Sequence, residues 1–254
     1  MLKEARVMHI CGAGGIGISA LAKILKSQGK AVSGSDLERS EVTSDLEKLG
    51  IKIVIGQKSE NIGQGLDLVI YSAAVPEASP ERREARRLKV PELSYPQALG
   101  ELSKNYEKVI AVAGTNGKTT TTAMIGRILE EAYEDPTVIV GSKVLAWNSN
   151  ARAGGKKYLV LEADEYRRAF LNYPADVAVI TNIEADHLDY FKDINDVRSA
   201  FSEFLKNMRP GGTIIFNAED ANAVQVIKSA NLKKTSFGFG SGADIGPQGL
   251  PNLN

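Results

Sequence analysis

Residues 108–122 read KVIAVAGTNGKTTTT, a short apolar run of β-forming residues followed by a glycine-bounded loop and four threonines. This order is typical of a polyphosphate site, because loop N–H groups and a helix N-terminus direct partial positive charge at an anion. Lys118 adds a full charge, and the Thr119 hydroxyl can coordinate Mg²⁺. The strict G-x-x-x-x-G-K-[ST] pattern fails, since its first glycine would fall on Val112. We predict a variant nucleotide-phosphate loop; the alternative is an ordinary glycine-rich turn beside a lysine.

Composition limits the class of protein and its partners. The chain has 254 residues, enough for two domains, with 43% hydrophobic and 24% charged residues. Its 31 basic and 31 acidic residues give no net field for nucleic acid or an anionic membrane, so neither partner is expected. The single cysteine, Cys11, excludes an internal disulfide framework. With no apolar run of about 20 residues and no signal-like N-terminus, we expect a cytoplasmic protein.

Strand-like and helix-like segments alternate along the chain, which predicts a parallel α/β architecture. A polar, helix-like stretch over 95–108 precedes the phosphate loop, and we place a domain boundary near its end. The prediction is therefore a first domain over 1–106 and a second over 107–240. Residues 241–254 are rich in Gly, Pro and Asn without periodicity, and we expect an irregular tail there.

A second glycine loop lies near the N-terminus. Gly12–Gly17 matches G-x-G-x-x-G between a predicted strand and helix, and Asp36 follows at the spacing of a ribose-binding acid. Alone, this pattern indicates a dehydrogenase, although tight strand–helix packing also requires glycines. With another phosphate loop downstream, a separate diphosphate-bearing substrate is the simpler interpretation. Ser72–Pro76 either lines the same crevice or forms an ordinary turn.

Two further apolar runs are each followed by several acidic or polar side chains. Their oxygen atoms are the kind of ligand that hard-cation coordination of nucleotide-bound Mg²⁺ requires. The alternative is that these groups cap helices or stay solvated, and it has more weight for Asp164, Asp186 and Asp189 than for Glu162 and His187. Residues of the first run are Glu162, Asp164 and Glu165, and those of the second are Asn182, Glu184, Asp186 and His187.

The chain contains two histidines. His187 lies in the second acidic run, where an imidazole can join a metal site or position a phosphate. His9 lies inside the first predicted strand, and there a satisfied core or crevice histidine is favoured over a ligand contact.

Four stretches in one order, HICGAGGIGISALA, GTNGKTTTT, LEADEYRRAF and TNIEADHLDYF, resemble the Mur ligases of peptidoglycan synthesis. The resemblance runs from about Val7 to about Ile245. It is closest to members that join L-alanine to UDP-N-acetylmuramate, and it implies an ATP-dependent amide ligase. In that family a Rossmann-like N-terminal domain holds the UDP-sugar, a P-loop-type central domain binds ATP, and a C-terminal domain helps to bind the amino acid.

The resemblance also implies site residues. Lys118, Glu162 and His187 would be catalytic, with Asn182 beside the metal site. Mg²⁺ would be held by Thr119, Glu162 and His187. ATP would contact Gly114, Thr115, Asn116, Gly117, Lys118, Thr119 and Thr120. The UDP-sugar would contact Gly12, Ala13, Gly14, Gly15, Ile16, Gly17, Asp36, Ser72 and Ala73.

Three departures from the family pattern bear on the function. Asn116 stands where the L-alanine members usually have histidine, and Arg167 where an acid is common. By the resemblance the chain also stops late in the central domain, so we expect an incomplete central domain and poor turnover alone. Either the sequence is a fragment, or a separate chain supplies the C-terminal domain.

Three other functions stay open. One is the recycling ligase that attaches a murein tripeptide to the same sugar, with which EADEY and SYPQ are compatible. Another is a non-catalytic module that senses UDP-sugar or nucleotide. A dehydrogenase is least favoured, because it leaves the second phosphate loop without a role.

Overall fold

The computed structural model describes residues 1–240 and 242–247, and they form two sheets with helices on their faces. The first sheet is parallel with strand order β3-β2-β1-β4-β5. Its strands are β1 (Val7–Cys11), β2 (Ala31–Asp36), β3 (Lys52–Ile55), β4 (Leu68–Tyr71) and β5 (Glu92–Ser94), and its helices are α1 (Ile16–Ser27), α2 (Glu41–Lys48), α3 (Pro80–Arg87) and α4 (Tyr95–Ser103).

The second sheet has seven strands in the order β12-β11-β10-β6-β9-β7-β8. Its strands are β6 (Lys108–Ala113), β7 (Thr137–Val144), β8 (Ser149–Arg152), β9 (Tyr158–Glu162), β10 (Val177–Ile180), β11 (Thr213–Asn217) and β12 (Lys233–Phe237). The helices of this part are α5 (Lys118–Glu131), α6 (Ile194–Lys206) and α7 (Ala221–Lys228).

Both glycine loops follow strands at which the strand order reverses. β1 lies between β2 and β4, and β6 lies between β9 and β10. Ligands of open parallel sheets bind at the carboxyl ends of strands at such switch points. The two strands are apolar and almost wholly buried, with Met8, Ile10, Val109 and Ala111 each 0% exposed. The core therefore fixes the position from which each loop leaves its sheet.

The predicted α/β fold is confirmed, and the element boundaries differ in two places. The helix expected over 95–108 ends at Ser103, because residues from Lys108 onward form β6. The antiparallel strand β8 was missed; it pairs with β7, Ala151 opposite Ile139. Its sequence, SNAR, has no apolar alternation, so pairing rather than intrinsic pattern makes it a strand.

The division at residues 106 and 107 stays a prediction, and the two sheets lie on either side of it. The expected irregular tail falls partly outside the described residues. Within 242–247, Ile245 bridges to Phe237, and the Asp244 carboxylate accepts hydrogen bonds from Ser236 N and Oγ. Among the helices of the described residues, none is long and apolar enough to cross a bilayer.

Helix α1 contacts both sheets. The buried Asn150 of β8 donates from Nδ2 to the Ile16 carbonyl (2.6 Å) and accepts from Lys23 Nζ (2.7 Å). Lys23 Nζ also donates to Ser149 Oγ at 3.2 Å. These bonds attach the start of α1, where the first glycine loop ends, to the sheet that carries the second loop.

Candidate active site

The loop between β6 and α5 has the backbone conformation that its glycines allow. Gly114 has φ 138° and Gly117 has φ 81°, both in the positive region that favours glycine. A Cβ on Gly114 would also overlap the Thr181 hydroxyl. Among the described residues, no side chain caps the start of α5. The N–H groups of Lys118, Thr119 and Thr120 lie in its first turn, where no carbonyl of the helix can accept from them. A helix start of this kind is suited to binding an anion.

The Lys118 ammonium turns back over its own loop. Nζ donates to the carbonyls of Gly114 (2.6 Å) and Thr115 (3.3 Å) and to the Glu165 carboxylate (2.9 Å). Glu165 is nearly buried, with its side chain 3% exposed. Burial raises the pKa of its carboxyl, and the charge of Lys118 acts in the opposite direction. Lys118 therefore stands at the loop with its charge already paired.

Residues after β10 fix the shape of the phosphate loop. Asn182 accepts at Oδ1 from Asn116 N (2.9 Å) and donates from Nδ2 to the Asn116 carbonyl (3.2 Å). Its own carbonyl accepts from Thr115 N at 3.1 Å. The Thr115 hydroxyl accepts from Glu184 N at 2.9 Å. Asn182 and Glu184 thus hold the loop through hydrogen bonds rather than by facing a ligand.

Glu162 ends β9 beside the start of α5. Its Oε2 accepts from the Thr119 hydroxyl (3.2 Å), and its Oε1 accepts from Gly141 N (2.6 Å). Burial raises the pKa of this carboxyl against the bonds from Gly141 and Thr119. Two oxygen donors side by side suit Mg²⁺, which prefers oxygen ligands and needs a carboxylate to offset its charge. Thr119 and Glu162 thus fit the predicted ion.

His187 lies near Asp164 and Glu165, whereas the sequence predicted that it shares a metal ion with Glu162. Ligand atoms of His187, Asp164 and Glu165 lie within 4.8 Å of one another, and the His187 ring packs against Tyr166 at 4.7 Å between centroids. Its backbone has φ 52°, a strained value for a non-glycine residue. The structure therefore pairs Thr119 with Glu162 and places His187 in a second group. Its metal-binding role stays a prediction.

Most N–H groups of the first glycine loop donate hydrogen bonds to residues of β2. Gly12 and Ala13 both donate to the Ser35 carbonyl (2.9 Å each), and Gly14 donates to Asp36 Oδ2 (2.7 Å). The Asp36 carboxylate therefore fixes the position of the loop. The sequence predicted that Asp36 contacts the UDP-sugar, and this contact stays a prediction.

The N–H groups left for a diphosphate belong to the first turn of α1. Among residues 1–240 and 242–247, no side chain caps this helix at Gly15, and Ile16 and Gly17 are its first residues. Ser72 lies against the loop, since a Cβ on Gly12 would be 3.0 Å from Ser72 Cβ. Ala73 is exposed beside it.

Both helix N-termini reach one cavity of about 350 Å³ between the sheets. Gly141, Tyr95 and Tyr173 belong to this site, and sequence reasoning missed all three. Only Gly141 had a signal, because it directly follows a predicted strand. The lining residues are Ile16, Gly17, Tyr95, Lys118, Ile139, Val140, Gly141, Glu162, Asp164 and Tyr173.

Fold and site together define an α/β protein in which the uncapped starts of two helices line one crevice between two sheets. The model of the Mur ligase middle domain matches residues 112–250, and that of the Mur ligase family catalytic domain matches residues 7–107. The chain belongs to the Mur ligase family.

Known relatives include two UDP-N-acetylmuramate–L-alanine ligases. That of Agathobacter rectalis is 43% identical over 96% of this chain and 53% of its own length, and that of Carboxydothermus hydrogenoformans is 41% identical over 96% and 52%. The chain thus spans about half the length of these curated relatives.

Two solved structures share the fold closely. The UDP-N-acetylmuramate–alanine ligase of Thermotoga maritima has TM-score 0.80 and 33% identity, over 91% of this chain and 52% of its own. The UDP-N-acetylmuramate:L-alanyl-γ-D-glutamyl-meso-diaminopimelate ligase of Neisseria meningitides has TM-score 0.84 and 28% identity, over 92% and 78%.

Proposed function

We propose that this chain supplies the UDP-sugar-binding and ATP-binding parts of a ligase that joins L-alanine to UDP-N-acetylmuramate. The observation that carries the proposal is the shared crevice, in which the uncapped starts of α1 and α5 meet beside Lys118 and Glu162. One helix start is available for the UDP diphosphate and the other for ATP. The cytoplasm is the proposed compartment, since ATP and reduced thiols are available there.

The proposed reaction has two steps. The muramate carboxylate attacks the γ-phosphorus of ATP, which forms an acyl phosphate and releases ADP. The amine of L-alanine then adds to the acyl carbon, and inorganic phosphate leaves as the amide forms and the amine proton passes to solvent. Lys118 would neutralise charge on the transferred phosphoryl group, for which its ammonium must exchange Glu165 for phosphate oxygens.

Thr119 and Glu162 are the proposed magnesium ligands. When bound, the ion would supply charge neutralisation on the nucleotide phosphates. Asn182 would position the loop through its bonds to Asn116, and the apolar wall at Ile139 and Val140 would limit water in the crevice.

The test is an assay of the chain with UDP-N-acetylmuramate, ATP and Mg²⁺, first alone and then with each candidate amine. Phosphate release and amide formation that depend on L-alanine would support the proposal. Release that depends on the L-alanyl-γ-D-glutamyl-diaminopimelate tripeptide would instead support the recycling ligase, the activity for which a structure with TM-score 0.84 to this chain is named. Tight UDP-sugar binding without turnover with any amine would support a binding module.

The C-terminal domain of a full-length relative, added as a separate chain, extends the same assay. Turnover that appears only after this addition would support a partner chain that completes the site. Turnover without the added C-terminal domain would contradict the need for a partner chain.

A further inference from the structure

A buried cluster of three side chains lies below the first glycine loop. His9 and Cys11 point from the same face of β1, and Glu81 meets them from α3; their exposures are 2%, 0% and 0%. A ring nitrogen of His9, the Cys11 sulfur and a Glu81 carboxylate oxygen lie within 4.8 Å of one another. The proposed ligase reaction uses none of these three groups.

The hydrogen bonds around His9 are compatible with a tautomer that can bind a metal. Nδ1 lies 2.9 Å from Ser33 Oγ, and that hydroxyl donates its own proton to the Met8 carbonyl at 3.3 Å. In the tautomer in which Nδ1–H donates to Ser33 Oγ, a lone pair stands on Nε2. Across the described residues, Nε2 has no hydrogen-bond partner, although it is buried and faces Glu81 Oε1 at 3.5 Å.

Glu81 is held in place by two donors. Ser35 Oγ donates to Oε2 (2.8 Å), and Asn61 Nδ2 donates to Oε1 (2.7 Å). A buried carboxyl group thus faces a ring nitrogen and a thiol, and a cation among the three would have a ligand atom from each.

We propose that His9 Nε2, Cys11 Sγ and Glu81 Oε1 bind a divalent transition metal of the zinc class. Nitrogen, sulfur and oxygen donors of these three types are the zinc ligands of proteins. Two ligands at about 2.0–2.1 Å from zinc, with a tetrahedral angle between them, stand roughly 3.3 Å apart. The observed 3.5 Å between Nε2 and Oε1 agrees with this spacing. Ser33, Ser35 and Asn61 orient the ligands from behind, as second partners do in metal sites.

Binding exchanges one proton for the metal. The Cys11 thiol loses its proton to solvent as the metal–sulfur bond forms, and no electron is transferred. Because the ligands are buried, the ion would enter as the chain folds, and it would then join the end of β1 to α3. Gly12 directly follows Cys11, so the ion would brace the first glycine loop from below.

The test uses the full chain, unfolded in denaturant with a reductant and chelator and refolded with Co²⁺ as the probe. We expect one tightly held cobalt that gives a thiolate-to-cobalt charge-transfer band in the near ultraviolet. Cys11→Ser should abolish the band, and Glu81→Gln, which keeps an oxygen for its two donors, should weaken cobalt binding at least tenfold. His187→Gln removes the other histidine and should leave the band unchanged.

A second measurement guards against misfolded variants. Zn²⁺ added during refolding should raise the melting temperature of the wild-type chain and of His187→Gln, but not of Cys11→Ser. Circular dichroism shows whether each variant has folded. A folded wild-type chain with neither a cobalt band nor zinc stabilisation would overturn the proposal, and His9 and Glu81 would then be a buried ion pair. A band that persists in Cys11→Ser would also overturn it.

Discussion

Lys118 and Glu165 form a partly buried pair whose members have different exposures, 16% for the lysine and 3% for the carboxylate. An incoming phosphate would compete with Glu165 for the same ammonium. Loss of the lysine would leave a buried carboxylate without its partner, which is costly unless the group takes up a proton. Binding and stability are therefore coupled at this residue and must be measured separately.

Lys118→Ala should weaken ATP binding by roughly ten- to a hundredfold, because hydrogen bonds to charged groups contribute about 1.5–3 kcal/mol. Affinity for UDP-N-acetylmuramate should stay nearly unchanged, since its proposed anion site is the start of α1. Titration calorimetry with each ligand measures both. Lys108→Ala, at the opposite end of β6, is the control and should change neither. Equal loss of both ligands would contradict the two-site arrangement.

Gly141→Ala tests the place of Glu162 without changing a charge. A Cβ at this position would lie 2.6 Å from Glu162 Oε2 and push the carboxylate away from Thr119. We expect the Mg²⁺-dependent part of ATP affinity to fall about tenfold or more, with UDP-sugar binding retained. The matched control is Gly63→Ala, where a Cβ meets no atom within 4 Å among the described residues. Unchanged magnesium dependence would show that Glu162 is not a ligand.

At the scale of elements, the sequence predicted what hydrophobic pattern and glycine chemistry determine. β1 and β6 are short apolar runs before glycines, so both loops and their helices could be located. β8 could not, because its strand conformation comes from pairing with β7. The separation of His187 from Glu162 was also beyond reach, since it depends on how the loops after β9 and β10 pack.

The segment after β9 contains backbone strain that composition does not reveal. Arg167 and Arg168 have φ 50° and 57° inside a segment of 3₁₀ turns over Tyr166–Asn172. A left-handed conformation costs roughly 1–2 kcal/mol for a residue with a Cβ. Arg167→Gly should therefore be more stable than Arg167→Ala by about 1 kcal/mol in denaturant unfolding. The same pair at Arg127, inside α5, should rank in the opposite order. If the alanine variant were more stable than the glycine variant at both positions, the backbone at Arg167 would not be strained.

Asp67 attaches the start of β1 to the turn before β4. Its Oδ2 accepts from Arg6 N (2.7 Å) and Val7 N (2.9 Å), and these bonds lower the pKa of the carboxyl from its ordinary value of 3.8. Because the folded pKa is the lower one, the stabilisation is complete above pH 3.8 and is lost as pH falls through the lowered pKa.

Asp67→Asn should accordingly lower the free energy of unfolding near neutral pH, and its deficit should shrink as the pH falls below about 4. Urea unfolding at a series of pH values measures this. Glu4→Gln is the control, since Glu4 is an exposed acid near the same end of the chain. A deficit that grows on acidification would contradict the assigned direction.

For the whole molecule, the crevice depends on how closely the two sheets and their helices approach. Helix α1 supplies one wall of the cavity and is bonded to Asn150 of the other sheet. Helix α4 approaches the segment of 3₁₀ turns so closely that a Cβ on Gly100 would overlap the Asn172 carbonyl. The halves that would hold sugar and nucleotide are thus joined by direct backbone contacts.

Gly100→Ala tests how closely α4 packs against Asn172, because the substitution has two effects of opposite sign on stability. Helix propensity alone would make alanine about 1 kcal/mol more stable than glycine in α4. Overlap with the Asn172 backbone, which cannot rotate away as a side chain could, should instead destabilise the chain by roughly 1–3 kcal/mol. Thermal and denaturant unfolding give the sign directly. Glu101→Ala, next in the same helix, removes only surface pairing and should change stability by about 0.5 kcal/mol or less. A more stable Gly100→Ala would mean that α4 can move away from Asn172, and that the crevice is not held at a fixed width.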